Sequence, residues 1–88
     1  VRVVFEDGFA KELQKLRDNR LLAKIRAIIL ECKEADSLTE IRNLKKLQGY
    51  DTFYRIRVGD YRIGIEFSAN ERVFTRILHR KEIYVHLY

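Results

Sequence analysis

Tyr54-Arg55-Ile56-Arg57-Val58-Gly59-Asp60-Tyr61-Arg62-Ile63-Gly64-Ile65-Glu66-Phe67 alternates residue by residue around a central Gly-Asp pair. Apolar and polar residues in strict alternation, broken by two turn-forming residues, predict a β-hairpin with a two-residue loop. Tyr54, Ile56 and Val58 share one face of the first strand, and Arg55 and Arg57 the other. In the second strand Tyr61, Ile63, Ile65 and Phe67 share a face, opposite Arg62, Gly64 and Glu66. One face can build a core, while the other gathers three arginines on a rigid platform. Such a cluster repels itself, and a polyanionic ligand is the obvious reason to keep it.

Upstream of the hairpin, Val1 to Phe5 is a β-branched and aromatic run expected to form a first strand. Asp7 is placed to cap a helix carrying Phe9, Leu13 and Leu16 at helical spacing. Arg17-Asp18-Asn19 interrupts that pattern as a tight connection. A second helix follows, with Leu21, Leu22, Ile25, Ile28, Ile29 and Cys32 as a continuous apolar stripe. Ser37 and Glu40 have capping-box spacing, so a short helical turn is expected there, with Leu38, Ile41, Leu44 and Leu47 packing it on the sheet. Gln48-Gly49 reads as the exit turn into strands near 52–58 and 61–67. Downstream, a strand is expected from Arg72 to Leu78, with Val73, Thr75 and Ile77 facing the core and Phe74, Arg76 and Leu78 facing away.

The order is strand, helix, helix and three strands joined by short turns, written β-α-α-β-β-β. This predicts an α+β domain over 1–88, with two N-terminal helices packed on one face of a small antiparallel sheet. At 88 residues the chain suits one small core. Its formal net charge of +5 favours nucleic acid, ribosome or an acidic protein as partner. The single cysteine, Cys32, excludes an internal disulfide and fits a reducing, intracellular setting. No apolar run approaches a membrane span, and no signal peptide is visible. Two histidines and one cysteine, scattered, make no zinc site, and there is no glycine-rich phosphate loop.

If the apolar parity faces the helices in all three C-terminal strands, Arg55, Arg57, Arg62, Arg76 and Arg80 share the uncovered face, with Phe53 and Phe74 beside them. Guanidinium groups bind phosphate bidentately, and exposed aromatics stack on unpaired bases. From pattern alone, the same face serves equally as a solvated surface partly paired with Glu66; clustering with little opposite charge tips the balance toward binding. The tail adds His79, Tyr84, His86 and Tyr88 as acid–base candidates, each equally readable as a surface or packing residue.

Leu44-Lys45-Lys46-Leu47-Gln48-Gly49, Tyr54-Arg55-Ile56-Arg57, Gly59-Asp60-Tyr61-Arg62-Ile63 and Ile77-Leu78-His79-Arg80-Lys81-Glu82-Ile83-Tyr84, in this order, resemble the RelE/ParE superfamily of toxin–antitoxin toxins. The resemblance covers nearly the whole chain. It implies a RelE-like fold and a cytoplasmic toxin of a type II system, acting without metal or cofactor. Its activity would be that of a ribosome-dependent mRNA endonuclease (an mRNA interferase), which inhibits translation. By this resemblance Arg55 and Arg57 hold the RNA backbone, Arg62 sits at the scissile phosphate, Arg80 assists the leaving 5′-oxygen, and Tyr84 is the general base. Arg76, Lys46 and Lys81 complete the expected RNA contacts. The family has lysines where this chain has Arg55 and Arg57, so these two are cast as electrostatic clamps. Its tyrosine stands further from the preceding arginine than Tyr84 does from Arg80, which leaves His79, His86 and Tyr88 as rival acid–base groups. The superfamily also contains ParE-like inhibitors of DNA gyrase, and non-catalytic paralogues that only bind antitoxin are a further alternative. A cognate antitoxin is implied in every case, docking on the second helix and the basic face, with acidic residues quenching the arginines.

Overall fold

The computed structural model describes residues 1–47, 49 and 51–82. Strand β1 (Arg2–Phe5) leads into helix α1 (Asp7–Gln14) and helix α2 (Asn19–Glu34). A single 3-10 turn (Leu38–Glu40) precedes strands β2 (Leu44–Lys46), β3 (Phe53–Val58), β4 (Tyr61–Phe67) and β5 (Glu71–His79). The strands form one sheet in the order β1-β5-β4-β3-β2. Both helices pack on one face of it around a common core, the α+β arrangement expected.

Local chemistry explains the helix boundaries. Asp18 caps α2, its Oδ1 accepting from the backbone N–H groups of Arg20 (3.0 Å) and Leu21 (3.2 Å). The cap of α1 is Glu6, with Asp7 already inside the first turn, where its charge suits the helix dipole. The apolar stripe of α2 buries Leu21, Ile25 and Cys32. These meet Ile56, Ile63, Ile65, Phe74 and Ile77 from the sheet. Phe9 of α1 closes the core beside Phe74 and Phe5, with ring centroids 5.5–5.7 Å apart.

The sheet departs from the expected antiparallel meander in two ways. First, β1 pairs with β5 in parallel, Arg2 to Phe5 lying opposite Glu71 to Phe74, so the sheet is mixed. The two-helix crossover between β1 and the rest is long enough to carry the chain back for parallel pairing. Second, the short helical turn expected at Ser37 is present as the 3-10 turn, but a strand that was not expected follows it, β2, antiparallel to β3. Glu40 still accepts from the Ser37 N–H (3.0 Å), the return half of the expected box, and also from the Asp36 N–H (2.9 Å).

A β-bulge changes which side chains of β5 face inward. Ile65 lies opposite Phe74 and Gly64 opposite Arg76, so Thr75 is the extra residue. The parity of β5 therefore switches at this point. Phe74 is fully buried, whereas strict alternation placed it on the open face beside the arginines. It offers no stacking surface to a base. The second sheet face is also not bare along β4 and β5: Gly64 and Leu78 are buried there.

Arg72, upstream of the bulge, is only 2% exposed. Its Nε donates to the Cys32 carbonyl and its Nη2 to the Ala35 carbonyl, both at 3.0 Å. Its Nη1 donates to the Ser68 carbonyl, and the guanidinium lies 3.6 Å from the centroid of the Phe67 ring. A buried cation is thus neutralised by the carbonyl end of α2 and an aromatic face.

Candidate functional site

The Gly59-Asp60 turn sets the site. Gly59 has φ +58°, the left-handed conformation needed at the first central position of a type II′ hairpin turn. The turn fixes the register of β3 and β4, placing Arg57 directly opposite Arg62 and Arg55 opposite Gly64. Arg80, just beyond β5, is tied to the same turn: its backbone N–H donates to the Asp60 carbonyl at 2.7 Å. Its side chain lies 3.9 Å from the Asp60 carboxylate, an exposed and loose ion pair.

Four guanidinium groups therefore meet at the hairpin end. The pKa of Arg62 is pushed below its ordinary value, first by burial and then by the charges of Arg55, Arg57 and Arg80, with Asp60 opposing. The side chain folds back over the turn, Nη1 donating to the carbonyls of Gly59 (3.0 Å) and Tyr61 (2.9 Å). Arg62 remains a cation, but one whose surroundings make a bound anion favourable. Beside it opens a cleft of about 610 Å³ between the hairpin end and α2, to which Arg57, Arg62, Arg80, Arg42 and Lys24 contribute. A smaller cleft of about 330 Å³ continues past Arg55 to Lys45.

The structure sorts the residues singled out from the sequence. Arg55, Arg57, Arg62 and Arg80 come together. Arg76 does not join them; Glu12 of α1 engages it, accepting from Nε at 2.9 Å and Nη2 at 2.7 Å. The same carboxylate takes the backbone N–H of Ile77 (3.0 Å), beyond the last β1 pair at Phe74. Arg76 is thus a staple between helix and strand, its pKa raised chiefly by that hydrogen bond. Lys46 lies opposite Tyr54, on the parity of the core-facing residues, whereas Lys45 lies opposite Arg55 and lines the smaller cleft. His79 stands opposite Tyr61, ring edge to ring face at 5.4 Å, on the parity of Ile63 and away from that of Arg62. Its Nδ1 accepts the N–H of Lys81 at 3.2 Å, which leaves Nε2 for any other partner. Lys81 is exposed in the turn after β5. Tyr84, His86 and Tyr88 lie outside the described residues.

Lys24, Arg42 and Lys45 were not anticipated. Lys24 reads as a solvated helix charge, and the strand that positions Lys45 was masked by the leucine spacing around it. Arg42 precedes Asn43, which has φ +60° and whose carbonyl accepts the Arg57 N–H at 3.2 Å. Asparagine tolerates that conformation, and this was the one available signal of a turn into a strand.

Comparison with known proteins gives a consistent picture. Residues 3–84 match the family model of the ParE toxin of type II toxin–antitoxin systems. Toxin RelE3 of Methanocaldococcus jannaschii is 42% identical over 85 residues, 96% of either chain. The fold superposes on the crystal structure of a RelB–RelE antitoxin–toxin complex from Methanococcus jannaschii with a TM-score of 0.80 and 40% identity, covering 97% of this chain and 99% of that one. An archaeal RelE–RelB complex from Pyrococcus horikoshii shares the fold at a TM-score of 0.74 and 22% identity, over 90% of this chain and 93% of that one. An aligned family model spanning almost every described element, together with a relative this similar, places the chain in the RelE/ParE superfamily of type II toxin–antitoxin toxins.

Proposed function

We propose that this toxin cleaves translated mRNA at the ribosome, using the RNA's own 2′-hydroxyl as nucleophile. The observation that carries this reading is the convergence of Arg55, Arg57, Arg62 and Arg80 at one hairpin end, where burial first, and then the charges of the other three, lower the pKa of Arg62. A phosphodiester passing to its pentacoordinate transition state gains negative charge on its non-bridging oxygens. Preorganised cations stabilise that charge without reorganising. The 2′-oxygen attacks the adjacent phosphorus and the P–O5′ bond breaks. The products are a 2′,3′-cyclic phosphate and a 5′-hydroxyl.

Arg62 is assigned to the scissile phosphate, Arg55 and Arg57 to the backbone as clamps, and Arg80 to the charge developing on the leaving oxygen. Guanidinium groups hold their protons too firmly to act as acids at neutral pH. The proton of the 2′-hydroxyl passes to a general base, to which we assign Tyr84, and the 5′-oxygen is protonated by solvent, since His79 stands on the other parity, against Tyr61. Relatives are solved as RelB–RelE complexes, and we assign this toxin a cognate antitoxin, with acidic residues to cover the cluster. No described helix is long and apolar enough to cross a membrane, and we place the toxin in the cytoplasm beside its ribosomal target.

Controlled expression with mapping of mRNA 5′ ends tests the reading. Cuts in phase with codons, lost in Arg62→Ala and Arg80→Ala, are expected. Growth arrest with intact message would sink it. A second reading, inhibition of DNA gyrase, is favoured by the match to the ParE family model. It predicts DNA breaks with translation unaffected, and a supercoiling assay with purified gyrase separates the two. A soluble, abundant protein that leaves growth unchanged would point instead to a non-catalytic paralogue.

A further inference from the structure

The larger cleft has two walls, and the reaction above uses one. Arg57, Arg62 and Arg80 form the sheet wall. Lys24 and Arg42 stand on the other. Lys24, Ile28 and Glu31 lie four and three residues apart on α2, which puts them on one stripe of the helix, along the cleft. Arg42 is held from behind, its backbone N–H donating to Oε1 of Glu31 at 3.0 Å. The neighbouring Asn43 ties the same loop to Arg57 of β3. The Lys24 and Arg42 side chains are themselves exposed. Among the described residues, five cations thus line the cleft against one carboxylate, Glu31, whose Oε1 is already committed to the Arg42 N–H.

The reaction above assigns Arg62 to the scissile phosphate and Arg80 to its leaving oxygen, and gives Lys24 and Arg42 no part. We propose that Lys24 and Arg42 form a second phosphate subsite, so that the cleft grips two consecutive phosphates of a single RNA strand. The inference rests on the ribonuclease reading and extends it to a minimum substrate length. Phosphate suits these walls better than an acidic peptide would. Ile41 and Val58 are buried in the core, which leaves Ala27 and Ile28 as the cleft's accessible apolar surface, a small anchor for a peptide side chain beside so many cations. The cations instead present the donors that phosphate oxygens accept.

The test is fluorescence anisotropy at low salt with 2′-O-methyl oligouridylates of two and three nucleotides, which carry one and two phosphodiesters and cannot be cleaved by 2′ attack. The unaltered toxin binds the trimer roughly tenfold more tightly than the dimer, the gain of one charge-assisted contact. The double variant Lys24→Gln/Arg42→Gln binds both alike, and its trimer affinity falls less steeply with salt, the logarithmic slope smaller by about 0.7. Arg62→Ala weakens dimer and trimer together. A general structural defect would not erase the length step selectively. If the double variant keeps that step, the subsite is wrong and the ribonuclease reading stands. If the unaltered toxin binds neither oligonucleotide, the subsite falls, while the ribonuclease reading is decided separately by the mapping of mRNA 5′ ends. If the double variant loses affinity for an aspartate-rich peptide while keeping the RNA length step, this wall serves a protein ligand and the proposal is overturned.

Discussion

Arg62 and Arg76 sit on adjacent strands, one register step apart: Arg62 faces Leu78, and Arg76 faces Gly64. Their surroundings are opposite. Arg76 has a carboxylate that accepts two of its N–H groups, and its pKa rises. Arg62 donates to two backbone carbonyls of the hairpin turn, and its pKa falls, first through burial and then through three neighbouring arginines. The α1 end of the sheet has satisfied its charges and contributes stability. The hairpin end brings like charges together around Arg62, with Asp60 the carboxylate that opposes them, and that excess of positive charge is what a phosphate-binding site requires. The same residue type is structural or functional according to what the neighbouring elements bring to it.

Substitutions should separate the two ends. The largest effect is expected for Arg62→Ala, which loses about 10²–10³-fold in cleavage rate on programmed ribosomes, the usual loss for one transition-state donor. Its thermal stability should hold or rise, because a repelling charge has gone. A clear fall in stability without loss of cleavage would break the comparison. Arg72→Met lies at the other extreme. It strands the carbonyls of Cys32, Ala35 and Ser68, and should cost about 3 kcal/mol in denaturant unfolding, with cleavage by the folded fraction intact.

Glu12→Gln breaks the Arg76 staple. With the Arg76 side chain 35% exposed, solvent screens the pair, and a loss of about 1 kcal/mol is expected in the same assay. Arg57→Gln should do the reverse on a smaller scale. It relieves a like-charge pair facing across β3 and β4, adding up to about 0.5 kcal/mol of stability while RNA binding weakens.

Cys32 tests the buried side through pH. Burial, and next the charge of Glu31, push its thiol from 9.0 up to about 12, against the pull of Arg72. The folded state therefore keeps this proton after the unfolded chain has lost it. The contribution is fully present below pH 9.0 and is lost as pH rises toward about 12. Urea midpoints measured above and below pH 9 should fall with pH in the natural protein, and less so in Cys32→Ala. Equal declines would show that the thiol is not the titrating group.

Much of this was readable from residues alone. The hairpin declared itself through alternation and Gly59, and α2 through the spacing of Leu21, Ile25 and Cys32. The meeting of Arg55, Arg57, Arg62 and Arg80 followed from strand parity and from the place of Arg80 after the last strand. Parity failed at Thr75, because a bulge adds one residue without any mark in a β-branched sequence, and so Phe74 was misplaced; Arg76 kept its parity, opposite Gly64, and was drawn from the cluster by Glu12. Glu12 could not be linked to Arg76 from sequence, since 64 positions separate them and only the packing of α1 against β5 joins them. In β2 the leucine spacing at 38, 41, 44 and 47 suits a helix, yet pairing with β3 outweighed local preference. Lys24 and Arg42 escaped notice for a similar reason: their relevance depends on where α2 crosses the sheet.

The parallel seam between Arg2–Phe5 and Glu71–Phe74 has a consequence for biosynthesis. A ribosome makes the first of these strands long before the second, so the sheet stays unfinished until nearly the whole domain has emerged. Arg80, nine residues further along than Glu71, arrives later still. A toxin assembled in this order cannot act while the codons for its last strand and Arg80 are still being read.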